Sequence, residues 1–213
     1  MIYNEDTART TAEFLLQVKA VKLSPEQPFT WASGIISPIY CDNRVTLSFP
    51  KIRTYIRQQF VNIINEEFGT VDMIAGVATG GIPQGALVAQ ELGLPFVYVR
   101  TSAKDHGTGN LIEGRIEDGK SVVIVEDLVS TGKSSLVAVD ALRAAGCNVK
   151  GMVAIFTYGL EAATSNFKKS KVKLITLSDY PSLLQKAVES NYVREKDLQT
   201  LMTWRENPEK WGR

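Results

Sequence analysis

Residues 121–135, SVVIVEDLVSTGKSS, bring together an apolar run, two acids, several hydroxyls, a glycine and a lysine. The run predicts a strand over 121–125, with Glu126 and Asp127 at its carboxyl end. Leu128, Val129, Ser130, Thr131, Gly132, Lys133 and Ser134 then lead into a predicted helix. Hydroxyls, a glycine and the free N–H groups of a helix start make a phosphate cradle. Two carboxylates beside such a cradle suit a sugar diol or a magnesium ion. Two other phosphate motifs do not fit. A P-loop would need its first glycine where this chain has Asp127, and GVATGGIPQG (76–85) offers no G-x-G-x-x-G register.

A second concentration of charge lies in residues 100–120, RTSAKDHGTGNLIEGRIEDGK. It holds Arg100, Lys104, Arg115 and the chain's one histidine, His106, among glycines at 107, 109, 114 and 119. No helix or strand period is visible there. Long structureless connections are uncommon unless functional or disordered. Cations on a glycine-rich loop suit a lid over a polyanion.

The elements that must position these groups follow from periodicity. Helices are expected over 6–20, from Pro50 (with Ser48 as a cap) to Gly69, over 83–92, 133–145 and 159–168, and around 180–189 and 195–205. Short apolar strands are expected near 71–78 and over 95–99, 121–125, 149–157 and 172–177. That alternation predicts an α/β fold, a mainly parallel sheet covered on both faces, with ligands beyond the carboxyl ends of its strands. Residues 21–47 look extended and are broken by Pro25, Pro28, Gly34 and Pro38. The first 48 or so residues read as an accessory hood on one domain spanning 1–213, with the C-terminal helices packing near it.

Lys plus Arg number 24 against 23 Asp plus Glu, a net charge of +1. That balance argues against nucleic acid as a partner. No apolar run reaches the length of a membrane helix, and the start MIYNEDTART has no secretory signal character. Cys41 and Cys147 are far apart and form no zinc motif, so a reduced, cytoplasmic chain is expected.

The 121–135 segment resembles the ribose-phosphate signature of type I phosphoribosyltransferases. The resemblance implies that Glu126 and Asp127 meet the ribose 2′ and 3′ hydroxyls of phosphoribosyl pyrophosphate (PRPP) and that the 128–134 loop holds its 5′-phosphate. Arg-x-x-x-Lys-Asp-His-Gly followed by Gly-Asn-x-Ile-Glu-Gly resembles the catalytic loop of orotate phosphoribosyltransferases. It implies that Arg100, Lys104 and His106 contact pyrophosphate, and that the loop, 100–116, closes over a neighbouring subunit's site in a homodimer. The turn from Gly76 to Pro83 resembles the family's pyrophosphate loop, adding Thr79 and Gly80 to the PRPP contacts. FTWASGIISPIYCDNR (29–44) resembles the base-side segment; with it, Phe29, Ser130 and Tyr158 are implied orotate contacts. Ala32 and Ile36 stand where members commonly carry a lysine, and Tyr158 where some carry an arginine. The family implies a three-layer fold with a small N-terminal hood, and Mg2+ held mainly through PRPP rather than by protein ligands. It implies transfer of ribose 5-phosphate to orotate, with catalysis by Lys104, Arg100, His106 and Asp127. The alternatives are a phosphoribosyltransferase for another base and a non-catalytic PRPP-sensing regulator.

Overall fold

A computed structural model describes residues 1–31, 33–101 and 111–211. Helix α1 (Glu5–Gln17) leads to four short strands, β1 (Val21–Leu23), β2 (Phe29–Thr30), β3 (Ile36–Ser37) and β4 (Ile39–Cys41). A 3-10 helix (Asn43–Ser48) joins them to α2 (Pro50–Ile63). Then follow β5 (Met73–Val77), α3 (Gly81–Leu92), β6 (Phe96–Val99), β7 (Ile112–Glu113), β8 (Ser121–Val129) and α4 (Lys133–Ala144). The chain continues through β9 (Asn148–Thr157), α5 (Glu161–Lys169), β10 (Leu174–Asp179), α6 (Tyr180–Glu189) and α7 (Leu198–Glu206).

Six strands form the main sheet in the order β10-β9-β8-β5-β6-β7, all parallel except the edge strand β7. Alternation of side chains along each strand makes three layers. Val123, Val125, Val153 and Ile155 face the apolar cluster shared with α1, α2, α3 and α6. Val122, Ile124, Met152 and Ala154 face the opposite cluster, closed by Leu136, Val139 and Leu142 of α4 and Phe167 of α5. The chain runs from β5 to β6 on one side and then returns to β8 on the other side of β5. The β5–β8 junction is therefore the switch point, where open α/β sheets leave a crevice at the carboxyl ends.

Four local differences from the sequence-based expectation have physical causes. Strand β8 does not stop at Val125 but runs on to Val129, because its ladder with β9 continues through Glu126↔Ala154 and Val129↔Thr157. Helix α3 starts at Gly81, so that Pro83 sits in its first turn, where a missing N–H costs no hydrogen bond. Ser48 does not cap α2; it ends the 3-10 helix, and Phe49 takes the cap position with no side-chain bond. Within 21–47 the extended pattern breaks at that 3-10 helix, which Asp42 caps by accepting from the Arg44 N–H.

The N-terminal segment divides in two. Helix α1 packs against β10 and α6, and Ile2 pairs with Thr176, so this part belongs to the main body. The pairs β1–β4 and β2–β3 form small antiparallel ribbons, the first with Val21 and Ile39 buried in the main cluster. Arg194, before α7, pairs with Glu26 of this region.

Candidate functional site

The crevice at the switch point is built by close approach of two backbones. A Cβ on Gly81 would lie 2.3 Å from the Val125 carbonyl oxygen, so only glycine lets the start of α3 reach β8. One residue earlier, a Cβ on Gly80 would lie 2.1 Å from Asp127 Oδ2. The Asp127 carboxylate thus rests directly on the β5 loop, Ala78 to Gly80, in which Thr79 is exposed and the Ala78–Thr79 peptide is cis.

Because Glu126 and Asp127 both belong to β8, their side chains leave opposite faces of the sheet. Asp127 is half-exposed on the α3 side. Glu126 is buried on the α4 side, and both its oxygens are engaged. Its Oε1 accepts from the Asp127 N–H at 2.9 Å and its Oε2 from the Ser135 hydroxyl at 2.8 Å. Burial, reinforced by the neighbouring Asp127 charge, pushes the Glu126 carboxyl well above its ordinary range. The two acids are therefore unlike: one open to a ligand, the other tying β8 to the first turn of α4.

The cradle follows. Ser130 and Thr131 are half-buried, and Lys133 and Ser134 are exposed on the first turn of α4, whose leading N–H groups have no acceptor within the helix. Gly132 turns the chain with φ 77°, and a Cβ there would lie 2.6 Å from the Phe167 ring. Asn166 Nδ2 donates to the Thr131 carbonyl at 3.0 Å and fixes the loop from below. Val129 is fully buried and its carbonyl accepts from the Thr157 hydroxyl, so it anchors the cradle rather than forming its surface.

Beside the cradle lies a cavity of ≈ 270 Å³ lined by Trp31, Tyr40, Cys41, Leu128, Ser130 and Tyr158. Tyr158 and Ser130 thus line one cavity. Phe29 stands one ring back, packed on Tyr40 at 5.8 Å. The Trp31 and Tyr158 rings lie 5.4 Å apart at 30° and form an aromatic wall. Burial pushes the Cys41 thiol up, with Asp127 and Asp42 adding to the effect, so it stays a neutral donor to Asn43 Oδ1 at 3.3 Å. The same Asn43 side chain, almost fully buried, donates through Nδ2 to the Asp127 carbonyl at 2.6 Å. Sequence reasoning assigns Asn43 and Ser135 no role; both act only through partners distant in the chain.

Arg100 follows β6 at the third side of the crevice. Its N–H donates to the Leu111 carbonyl at 2.8 Å and its guanidinium lies 3.8 Å from Glu113 of β7. These contacts close the base of the loop, while Lys104 and His106 lie outside the described residues. Arg115 is exposed and 3.7 Å from Glu117.

A half-exposed acid, a helix start with free N–H groups and an aromatic cavity thus gather at the switch point of a mainly parallel sheet. A phosphoribosyl transferase domain matches residues 48–183. Among curated proteins, the orotate phosphoribosyltransferase of Phocaeicola vulgatus is 56% identical over 200 residues, covering 94% of each chain. Among solved structures, the orotate phosphoribosyltransferase from Aeropyrum pernix superposes with a TM-score of 0.75 at 27% identity, covering 86% of this chain and 99% of that one. Leishmania donovani UMP synthase superposes with a TM-score of 0.77 at 25% identity, over 92% of this chain and 42% of that longer chain. The chain belongs to the orotate phosphoribosyltransferase family.

Proposed function

We propose that this chain transfers the ribose 5-phosphate group of PRPP to orotate, giving orotidine 5′-monophosphate and pyrophosphate, a step of pyrimidine biosynthesis. The observation that carries the reading is the continuity of the crevice. The half-exposed Asp127, the 130–134 cradle and the aromatic cavity open side by side, with Ser130 shared by the last two. The three parts suit the ribose, the phosphate and the base.

In the transfer the ribose C1–oxygen bond to pyrophosphate breaks and a bond from C1 to a ring nitrogen of orotate forms. Displacement at an anomeric carbon passes through an oxocarbenium-like state, with positive charge on the ribose and negative charge on the leaving group. Asp127 orients the ribose hydroxyls and lies near the developing cation. Glu126 supports it by holding the Asp127 N–H. Thr79 and Gly80 offer backbone donors to pyrophosphate. Arg100, Lys104 and His106 neutralise the departing charge, with Lys104 the main catalytic group. Closure of the 100–116 loop over the neighbouring subunit of a homodimer excludes water that would hydrolyse the activated ribose.

Among the described residues no cluster of three or more His, Cys, Asp or Glu could hold a metal by itself. Mg2+ would be brought by PRPP, with Asp127 as the protein oxygen beside it. Such an ion supplies neutralising charge to the pyrophosphate oxygens. No helix among the described residues is long and apolar enough to cross a membrane; a cytoplasmic location is part of the same proposal. The test is direct: incubate the protein with PRPP, magnesium and single bases, and follow pyrophosphate release. Release with orotate alone is expected; release with a purine alone overturns the reading.

A further inference from the structure

The C-terminal helix α7 carries Trp204, whose side chain is fully buried yet lies outside the lining of the base cavity. It touches both members of the aromatic wall from behind. Its ring stands edge-on to Trp31 at 5.7 Å and 75°, and to Tyr158 at 5.5 Å and 80°. On its far side it meets Tyr180 at 5.4 Å, and the Tyr180 hydroxyl donates to the Leu201 carbonyl of α7 at 3.0 Å. The wall residues themselves come from separate places: Trp31 from the N-terminal ribbons, pinned by its Nε1–H to the Ile39 carbonyl at 3.0 Å, and Tyr158 from the end of β9. Trp204 is thus the ring that joins the hood strands, the main sheet and the C-terminal helix behind one wall.

A second observation separates this from ordinary core packing. The Trp204 indole N–H is buried with no hydrogen-bond partner among the described residues. A buried unpaired donor disfavours an indole relative to an apolar ring. The unpaired donor offsets part of what the larger ring adds in packing. What phenylalanine lacks is the width to reach Trp31 and Tyr158 at once while still resting on Tyr180.

We propose that Trp204 is a positioning residue for base recognition: it sets the spacing and tilt of the Trp31–Tyr158 wall and so tunes affinity for the base without touching it. The inference rests on the assignment of this cavity to the base. It also makes α7 part of the substrate site.

The experiment compares wild type with Trp204→Phe and Trp204→Leu, measuring KM for the base and for PRPP, kcat and thermal melting. Trp204→Leu is expected to raise the base KM about tenfold, or 1.4 kcal/mol, while the PRPP KM stays within about twofold. Trp204→Phe is expected to melt only slightly lower than wild type, since relief of the unpaired donor offsets part of the cavity left, yet to raise the base KM about threefold, as loss of part of an edge-to-face contact allows. Equal rises in both KM values would mean general loosening and would overturn the proposal. So would an unchanged base KM in the Phe variant, which decides the matter if the Leu variant does not fold. The base used is whichever one the wild-type enzyme accepts, so failure of orotate as substrate refutes the functional reading alone.

Discussion

Substituting Gly80 by alanine should separate chemistry from stability. The added Cβ would lie 2.1 Å from Asp127 Oδ2, 2.2 Å from Cγ and 2.5 Å from Oδ1. Carbon contacts settle near 3.5–4.0 Å, so the carboxylate must retreat by roughly 1 Å or more. Gly80 has φ −69° and ψ −32°, a conformation alanine adopts freely, so the backbone has no reason to move. A displacement of about 1 Å in a positioning group can cost on the order of 100-fold in rate, or about 2.7 kcal/mol of barrier. Stability should hold or rise by ~0.4–1 kcal/mol, since alanine restricts the unfolded chain. The neighbouring Gly81→Ala is the control with the opposite signature. Its Cβ would press at 2.3 Å on the Val125 carbonyl, part of a central strand that cannot yield. Overpacking of this kind costs ~1–3 kcal/mol, a fall of roughly 2–12 °C in melting temperature for a chain of this size. Steady-state turnover at saturating substrates and thermal melts on both variants provide the check. Gly80→Ala turnover within twofold of wild type, in a protein that melts normally, would refute the placement of Asp127 at the reacting ribose.

Three further outcomes are expected. Glu126 is held above its ordinary carboxyl range by burial, so the folded protein keeps its proton longer than the unfolded chain does. Stability therefore falls as pH climbs from the unfolded carboxyl range through the raised value, and Glu126→Gln should flatten that fall in melts from pH 4 to 8; an unchanged slope contradicts it. Asn43→Ala removes the donor to the Asp127 carbonyl and the acceptor of the Cys41 thiol; leaving that carbonyl unpaired should cost ~1–3 kcal/mol in denaturant melts and lower turnover about tenfold, and an active, equally stable variant would show that the clamp is idle. Lys104→Ala should lower turnover at least tenfold, about 1.4 kcal/mol of barrier, with an unaltered melt; full turnover under saturating substrates removes Lys104 from the chemistry.

The alternation of strands and helices was readable because the core strands are short runs of four or more mostly apolar residues and, except for β6, each is followed by a helical period. The small ribbons were not, because β2 and β3 have two residues each, too few for a period to register. The end of β8 was misplaced for a different reason. Two acids depress any strand reading, yet here the β9 ladder carries the backbone through them. That error matters for the site: seen as a turn, Glu126 and Asp127 are a side-by-side pair, whereas on a strand they face apart and divide into an engaged acid and an open one. Gly80 and Gly81 are visible in the sequence as glycines, but what they make room for lies on β8, some 45 positions away in the chain, and only the parallel β5–β8 pairing brings it near. Trp204 gives no local signal at all, since an aromatic at helical spacing reads as core.

The sheet order also explains how a chain with a net charge of +1 serves a polyanionic substrate. The acid at the floor of the crevice is Asp127, which adds to the effect of burial in pushing Cys41, Glu126 and, by a smaller contribution, Tyr158 upward. A phosphate group gains nothing from such a floor, and the cradle meets it with backbone donors at the start of α4 instead. Arg100 follows β6, and β6 and β8 flank β5; its guanidinium is held 3.8 Å from Glu113 of β7. On the proposed reading the cations of the 100–116 loop serve the neighbouring subunit's site, so each crevice supplies its own acid for the ribose and receives cations from the partner copy. Positive charge then meets the leaving group only when the second copy is in place, and for that task the placement of charge matters more than its total.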